Sequence, residues 1–340
     1  MVTSRHPSPG PPNRWVDFLT VGAAVVAAAL LIPYLFDVYR YHRAESAYQA
    51  ADCETAIARF RPQAEGRSFL DFNNFQSRST ARIQACEAFL AIRSPAPDPS
   101  LQMLAHSDFI NRYLGGPLVT AVREQARALA TNIPPDSLAV TALCDRLGDL
   151  STNQLIPDDS TLPLLLQACG QTYWDEGQLE AAIAAYQQIL RKYANHAIVP
   201  EVETALAKVL LAQAKAEGAG ELGDPGLSGY ATDGVTVVEI RNNSPEHMRV
   251  IFSGPETRFE EIAPCEECQT YAREGPAECP NQGPVQRFIL KPGDYEVLVR
   301  SISDPFVSPF TGAWSLDSGS EYNSCFFLIT NPSPEADDAE

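Results

Sequence analysis

The chain repeats itself. Phe109-Ile110-Asn111-Arg112-Tyr113, followed by Pro117-Leu118-Val119 and Val122, returns eighty residues later without a gap as Ile189-Leu190-Arg191-Lys192-Tyr193, Ala197-Ile198-Val199 and Val202. Upstream of each copy lies a second matched pair, Ile83-Gln84-Ala85-Cys86 and Leu166-Gln167-Ala168-Cys169. Further upstream each has a cysteine followed by an acid, Cys53-Glu54 and Cys144-Asp145. A helical repeat cannot bury its apolar face alone, so an internal duplication of this kind predicts hairpins stacked on one another. Scaffolds of that kind hold other proteins and do no chemistry.

Ahead of the repeats, Phe18 to Phe36 runs for nineteen residues without a charge. At about 1.5 Å rise per residue that run reaches roughly 28 Å, enough for a hydrocarbon core. Trp15 on one side and Tyr34, Tyr39 and Tyr41 on the other read as interfacial anchors. The run is longer than the apolar part of a cleaved signal, and Ile32-Pro33-Tyr34-Leu35-Phe36 has no small-residue cleavage site. An uncleaved single-pass transmembrane helix is therefore expected over 15–37, after a disordered, proline-bearing tail over 1–14. Arg5 and Arg14 before the span balance Arg40 and Arg43 after it, so the positive-inside rule leaves its orientation tied.

The chain has 25 Lys+Arg against 43 Asp+Glu, a net charge of −18, and only four of its bases are lysines. A surface this acidic repels phosphate backbones, which argues against nucleic acid as a partner.

Helical punctuation organises residues 44–217. Cys169-Gly170-Gln171-Thr172-Tyr173 through Leu190 resembles a tetratricopeptide (TPR) unit. Gly170 and Ala182 stand where two antiparallel helices of such a unit approach. Tyr173, Leu179, Ile183, Tyr186 and Ile189 fill the groove, and Gly177 supplies the turn. Ala194 replaces the family's closing proline. Ala47-Tyr48 through Phe60 is a weaker match, with Ala51 at the turn-glycine position, Ala56 as the packing alanine and Cys53 facing inward. Pro117 and Pro200 open helices, as first-turn prolines can, and 218–229 reads as a flexible linker.

From 230 the apolar period changes to two. Val235 and Val237 alternate with Thr236, and Met248, Val250 and Phe252 follow a polar turn at Asn242-Asn243-Ser244-Pro245. Phe288-Ile289-Leu290 and Tyr295 to Val299 flank Lys291-Pro292-Gly293-Asp294, whose Pro-Gly pair marks a type II turn. Ala313 to Leu316 and Tyr322 to Ile329 flank Asp317-Ser318-Gly319-Ser320. Short strands at this spacing suggest a small antiparallel β-sandwich over 230–330, with an acidic disordered tail over 331–340. The segments Phe252-Ser253-Gly254-Pro255, Pro264-Cys265-Glu266-Glu267-Cys268, Cys279-Pro280 and Ser324-Cys325-Phe326 look similar to an uncharacterised β domain. That domain ends bacterial membrane-anchored TPR proteins, and the resemblance implies no activity. The fold expected is multi-domain α + β: one transmembrane helix, a TPR-like hairpin array, then the sandwich.

Eight cysteines, an even number, favour disulfides. The duplicated Gln-Ala-Cys pairs Cys53 with Cys86 and Cys144 with Cys169, each closing a loop worth about 3–4 kcal/mol. Buried thiols in a helical core are the plainer alternative. Disulfides persist in oxidising surroundings, which would place the N-terminus in the cytoplasm and the bulk in the periplasm or an equivalent extracytoplasmic space. Cys265, Cys268, Cys279 and Cys325 admit three pairings, with Cys265–Cys268 and Cys279–Cys325 preferred. As thiolates these four could instead hold zinc tetrahedrally. A CxxC thiol oxidoreductase is a third reading, weakened by Glu266 and Glu267, whose negative charges would raise the thiol pKa.

His6, His42, His106, His196 and His247 are scattered, and no phosphate-binding loop or nucleophile elbow occurs. Asn242-Asn243-Ser244 fits a glycosylation sequon, a common chance match. The expectation is a non-enzymatic, membrane-tethered TPR scaffold without cofactor, binding a protein or peptide partner. The alternative is a ligand-binding or sensing β domain with the helices as spacer.

Overall fold

The computed structural model describes residues 14–66, 71, 73–94, 96–157, 160–232, 234–272 and 274–330. For 14–24, 26, 27, 30 and 330 it describes the backbone alone. The expected tails therefore fall outside the described residues, apart from the backbone of residue 14. The chain forms two compact units, one reaching Leu138 and including Arg146–Pro157, the other taking Ala139–Asp145 and everything from Asp158.

In chain order the helices begin with α1 (Arg14–Gln49), α2 (Cys53–Glu65), α3 (Phe75–Arg93), α4 (Pro99–Arg112), α5 (Pro117–Asn132) and α6 (Pro135–Leu138). Then come α7 (Thr141–Cys144), α8 (Leu147–Thr152), α9 (Leu162–Asp175), α10 (Leu179–Lys192) and α11 (Val199–Ala216). In the first unit α1, α2 and α3 pack in succession, and Cys53–Cys86 ties α2 to α3 with Cα atoms 5.1 Å apart. Tyr41 stacks near Phe60 and Phe75, with ring centroids 5.5 and 4.9 Å away. Arg82 reaches both carboxylate oxygens of Glu45, at 3.2 and 3.0 Å, and lies over the Tyr48 ring.

Among the described residues no helix is long and apolar enough to cross a membrane. This overturns the transmembrane helix expected over 15–37. The single-pass location, with a cytoplasmic N-terminus and an extracytoplasmic or periplasmic bulk, falls with it. The uncharged part of α1 ends at Phe36. Asp37, Arg40, Arg43 and Glu45 interrupt the helix, while Tyr41, Ala44, Ala47 and Tyr48 are buried. Tyr41, Ala44 and Tyr48, at i, i+3 and i+7, make an apolar face that packs on protein, and Glu45 beside it is held by Arg82.

In the second unit α9 and α10 form a hairpin closed by Gly177, and α11 packs against α10. The close approach needs a glycine: a Cβ on Gly170 would lie 2.5 Å from Tyr186 Cε1. Cys144–Cys169 ties α7 to α9 with Cα atoms 5.6 Å apart.

The strands are β1 (Gly220–Glu221), β2 (Gly226–Tyr230), β3 (Thr236–Asn242), β4 (Met248–Ser253), β5 (Thr257–Ile262) and β6 (Tyr271–Ala272). They continue with β7 (Val285–Leu290), β8 (Gly293–Ser301), β9 (Phe310–Leu316), β10 (Ser320–Phe326) and β11 (Ile329–Thr330). They form a five-stranded sheet ordered β1-β9-β8-β4-β5, a four-stranded sheet ordered β2-β10-β3-β7, and the pair β11-β6. The first two are mixed: β1 runs parallel to β9, and β10 runs parallel to β3 from Glu321 opposite Val237 to Phe326 opposite Asn242. The simple antiparallel sandwich is thereby corrected.

The turns explain the difference. Asn243 to His247 joins β3 to β4, Lys291-Pro292 joins β7 to β8, and Asp317-Ser318-Gly319 joins β9 to β10. Each of these turns leaves one sheet and enters the other, so the strands on either side are not partners. Between the sheets lies one core that includes Val238, Ile240, Val250, Phe252, Phe288, Tyr295, Val297, Trp314 and Phe326. The other face of the five-stranded sheet is buried too. Ile251 and Leu298 point there, fully covered, and α11 packs across β4, β5, β8 and β9. Thr204 and Thr257 meet there through their hydroxyls at 3.0 Å.

Candidate functional site

The loops at one end of the β domain are organised by three consecutive polar residues. Asn242, Asn243 and Ser244 are buried, with side chains turned inward. Asn242 Nδ2 donates to the carbonyls of Glu246 and Ala263 at 2.8 and 2.9 Å, and its Oδ1 accepts from Ser244 N and Oγ. A side chain so engaged is closed to a glycan in the folded chain. Buried amides demand this degree of pairing, because an unpaired one costs about 1–3 kcal/mol.

Asn243 faces the cysteines. Its Nδ2 lies 3.2 Å from Cys279 Sγ and 3.1 Å from Cys325 Sγ. Its Oδ1 accepts the backbone N–H of Gly283 at 2.8 Å and of Gln282 at 3.4 Å, and Cys268 Sγ lies 3.9 Å from that oxygen. Cys265 N–H donates to the Ser244 carbonyl at 2.9 Å. Two disulfides thus meet at one amide: Cys265–Cys268, with Cα atoms 5.3 Å apart, and Cys279–Cys325, at 6.0 Å.

All eight cysteines are bonded in four disulfides, including Cys53–Cys86 and Cys144–Cys169. The four sulfurs weighed for zinc are therefore in S–S bonds, whereas zinc binds thiolates. Among the described residues no group of three or more His, Cys, Asp or Glu stands together to hold a metal.

Beside the disulfides opens a groove of about 750 Å³. Val299 and Phe326 line it deeply, and Phe310, Phe327, Leu328 and Ile329 line its sides, with Arg300, Ser301, Asp304 and Ser308 among its polar groups. Phe306 stands at its edge with 93% of its surface exposed. The wall at Phe327 is held from behind: Tyr271 meets that ring edge-on at 5.8 Å, and Gly275 packs so closely on it that a Cβ there would displace the ring. The parallel pair Ile329–Tyr271 continues this wall.

Asn243, Gly275, Gly283 and Phe306 were not among the site residues expected from sequence. In the sequence Asn243 stands only within a turn and within a chance-match sequon. An Asn-Asn-Ser run between two apolar strands is the one signal that could have marked it, because such side chains satisfy backbone groups of other loops when buried.

No protein-family model matches the chain and no curated protein matches it. The resemblance to a bacterial membrane-anchored TPR protein with a cysteine-bearing β domain is corrected accordingly. The helices supply the structural reason. Where the second copy would need a full hairpin upstream of α9, the chain forms α7 and α8, four and six residues long.

Proposed function

We propose that this chain is a non-enzymatic binding protein and that the groove at the end of its β domain receives an apolar segment of a protein or peptide partner. One observation carries this reading: Phe306 is almost wholly exposed above an apolar groove, in a chain of net charge −18. Isolated exposed apolar residues are ordinary, but an aromatic gathered with Phe310 and Ile329 around a concave apolar wall is the pattern of an interaction site. The partner's apolar side chains would fill the groove, and Arg300, Asp304 and Ser308 would hold its backbone in register. The helices present the β domain.

Photo-crosslinking from position 306 of the full chain, followed by mass mapping of the adducts, tests this. Adducts should carry peptides of one recurrent partner and disappear in a Phe310→Ser variant. Leu101→Ser and Leu114→Ser, on the helical unit, should leave them unchanged. If the helical substitutions abolish the adducts and Phe310→Ser does not, docking is on the helices and this assignment fails.

A further inference from the structure

We propose that Cys279–Cys325 is a thiol-exchange site, opened by a dithiol reductant, with Asn243 as the positioning residue that holds the departing thiolate. The inference is independent of what occupies the groove.

Access separates the disulfides. Exchange requires a thiolate to approach one sulfur directly, so its rate follows exposure. The helical cysteines are closed, with Cys53, Cys86, Cys144 and Cys169 exposed by 2, 0, 6 and 0%, and Cys265 is equally closed at 6%. Cys279 is exposed, on a loop, and its partner Cys325 at the end of β10 is half-buried. Attack is therefore directed to Cys279, and Cys325 becomes the leaving group.

The leaving group is already met by a donor. Asn243 Nδ2 lies 3.1 Å from Cys325 Sγ, and the amide cannot turn over because Gly283 and Gln282 donate to its oxygen. A hydrogen bond to a thiolate is stronger than one to a neutral sulfur, so the donor favours the cleaved state over the intact bond. Leaving thiols of lowered pKa depart faster. Glu239 and Asp224 share the shallow pocket outside this bond and oppose the effect, and Arg241 there offsets them.

The step balances without a cofactor. A thiolate of the reductant attacks Cys279 Sγ, the Cys279–Cys325 bond breaks, and its electron pair passes to Cys325 Sγ. The mixed disulfide on Cys279 is then displaced by the second thiol of the reductant, which leaves as a disulfide. The two protons it gives up end on Cys279 and Cys325. Two electrons have moved from the dithiol to the protein. The bond that held the Cys279 loop to β10 is then gone, while Cys265–Cys268 closes only a local turn.

The full chain is exposed to dithiothreitol, quenched with iodoacetamide at intervals and mapped by mass spectrometry. Cys279 and Cys325 should be alkylated at least about tenfold faster than the four helical cysteines, given the difference in access. Simultaneous opening of all four disulfides, or opening of a helical pair or Cys265–Cys268 ahead of Cys279–Cys325, overturns the proposal. Asn243→Asp keeps the acceptor and replaces the donor with a charge. It should slow opening of Cys279–Cys325 about tenfold and leave the helical disulfides Cys53–Cys86 and Cys144–Cys169 unchanged. The pH dependence of Cys325 alkylation in the reduced chain gives a readout that needs no variant. Its midpoint should fall below the ordinary thiol value of about 8.5, and a midpoint at or above that value removes Asn243 from the role.

Discussion

Ala51 and Gly177 hold the same left-handed backbone conformation, at φ 56° and 75°. Each ends a helix with the same pair of hydrogen bonds: Ala51 N–H to Tyr48 and Asp52 N–H to Ala47, against Gly177 N–H to Trp174 and Gln178 N–H to Tyr173. This is the closing motif in which glycine is favoured, because a Cβ at positive φ crowds the following carbonyl. One copy of the turn has the favoured residue and the other does not. Ala51→Gly should therefore stabilise the chain and Gly177→Ala destabilise it, each by about 1 kcal/mol. Urea midpoints at unchanged slope measure both. A loss of stability in Ala51→Gly would show that the Ala51 methyl contributes packing worth more than the conformational relief.

The attachment of α11 to the five-stranded sheet divides into an apolar and an ionic part. Leu298 is fully buried, and Leu298→Ala should cost about 2–5 kcal/mol through lost burial and the cavity left behind. Lys215 and Glu296 approach to 2.6 Å, but their side chains are 54 and 52% exposed. A pair so well solvated contributes no more than about 1 kcal/mol, so Lys215→Ala should be nearly silent in the same unfolding assay. A larger loss from Lys215→Ala than from Leu298→Ala would contradict this division.

How far the fold was legible depends on the range of the interaction. Gly170, Ala182 and Tyr186 announced the α9–α10 hairpin, because the close approach is encoded within seventeen residues of sequence. The pairing of β10 with β3 was not announced, since about eighty residues separate Glu321 from Val237 and no local turn records it. Turn chemistry at Pro292-Gly293 showed where the chain bends, but not that it bends into a different sheet. The uncharged run at 18–36 suggests a span by composition alone. The buried Tyr41, Ala44 and Tyr48 farther along the same helix belong to a packed face. At the site the cysteines were plain, whereas Asn243 could be weighted only after its partners at 279, 283 and 325 were brought around it.

His106 gives the chain a sensitivity to acid. It is 1% exposed on α4, and neither ring nitrogen reaches a hydrogen-bond partner among the described residues. Burial lowers its pKa below the ordinary 6.5, more than the nearby Gln102 carbonyl and Gln125 side chain raise it. The folded chain therefore refuses a proton that the unfolded chain accepts below about pH 6.5. Stability should be unaffected by this group above that pH. As the pH falls further it should drop by up to about 1.4 kcal/mol per unit until the folded pKa is reached. Melting temperatures of the wild type and His106→Met, measured from pH 8 downward, isolate the effect. Parallel curves for the two proteins below about pH 6.5 would remove His106 as its source.

Gly283 is the glycine on which the Asn243 site depends. A Cβ there would fall inside the carbonyl oxygen of Asn242, a backbone atom that cannot step aside as a flexible side chain would. The same residue donates its N–H to Asn243 Oδ1 at 2.8 Å, and its carbonyl accepts from Arg241 Nη1 at 3.1 Å. Gly283→Ala must therefore shift a strand end and loosen the amide that spans the two disulfides. The expected loss is about 1–3 kcal/mol, the ordinary cost of overpacking, with increased hydrogen exchange at the amides of 281–283 and 325–327. Gly229→Ala is the control, because its Cβ would meet only the side chain of Glu321, no nearer than 3.3 Å, and no backbone atom. The two variants should separate clearly in denaturant. If Gly283→Ala unfolds at the midpoint of Gly229→Ala, with unchanged exchange around Asn243, the contact with Asn242 does not constrain the loop.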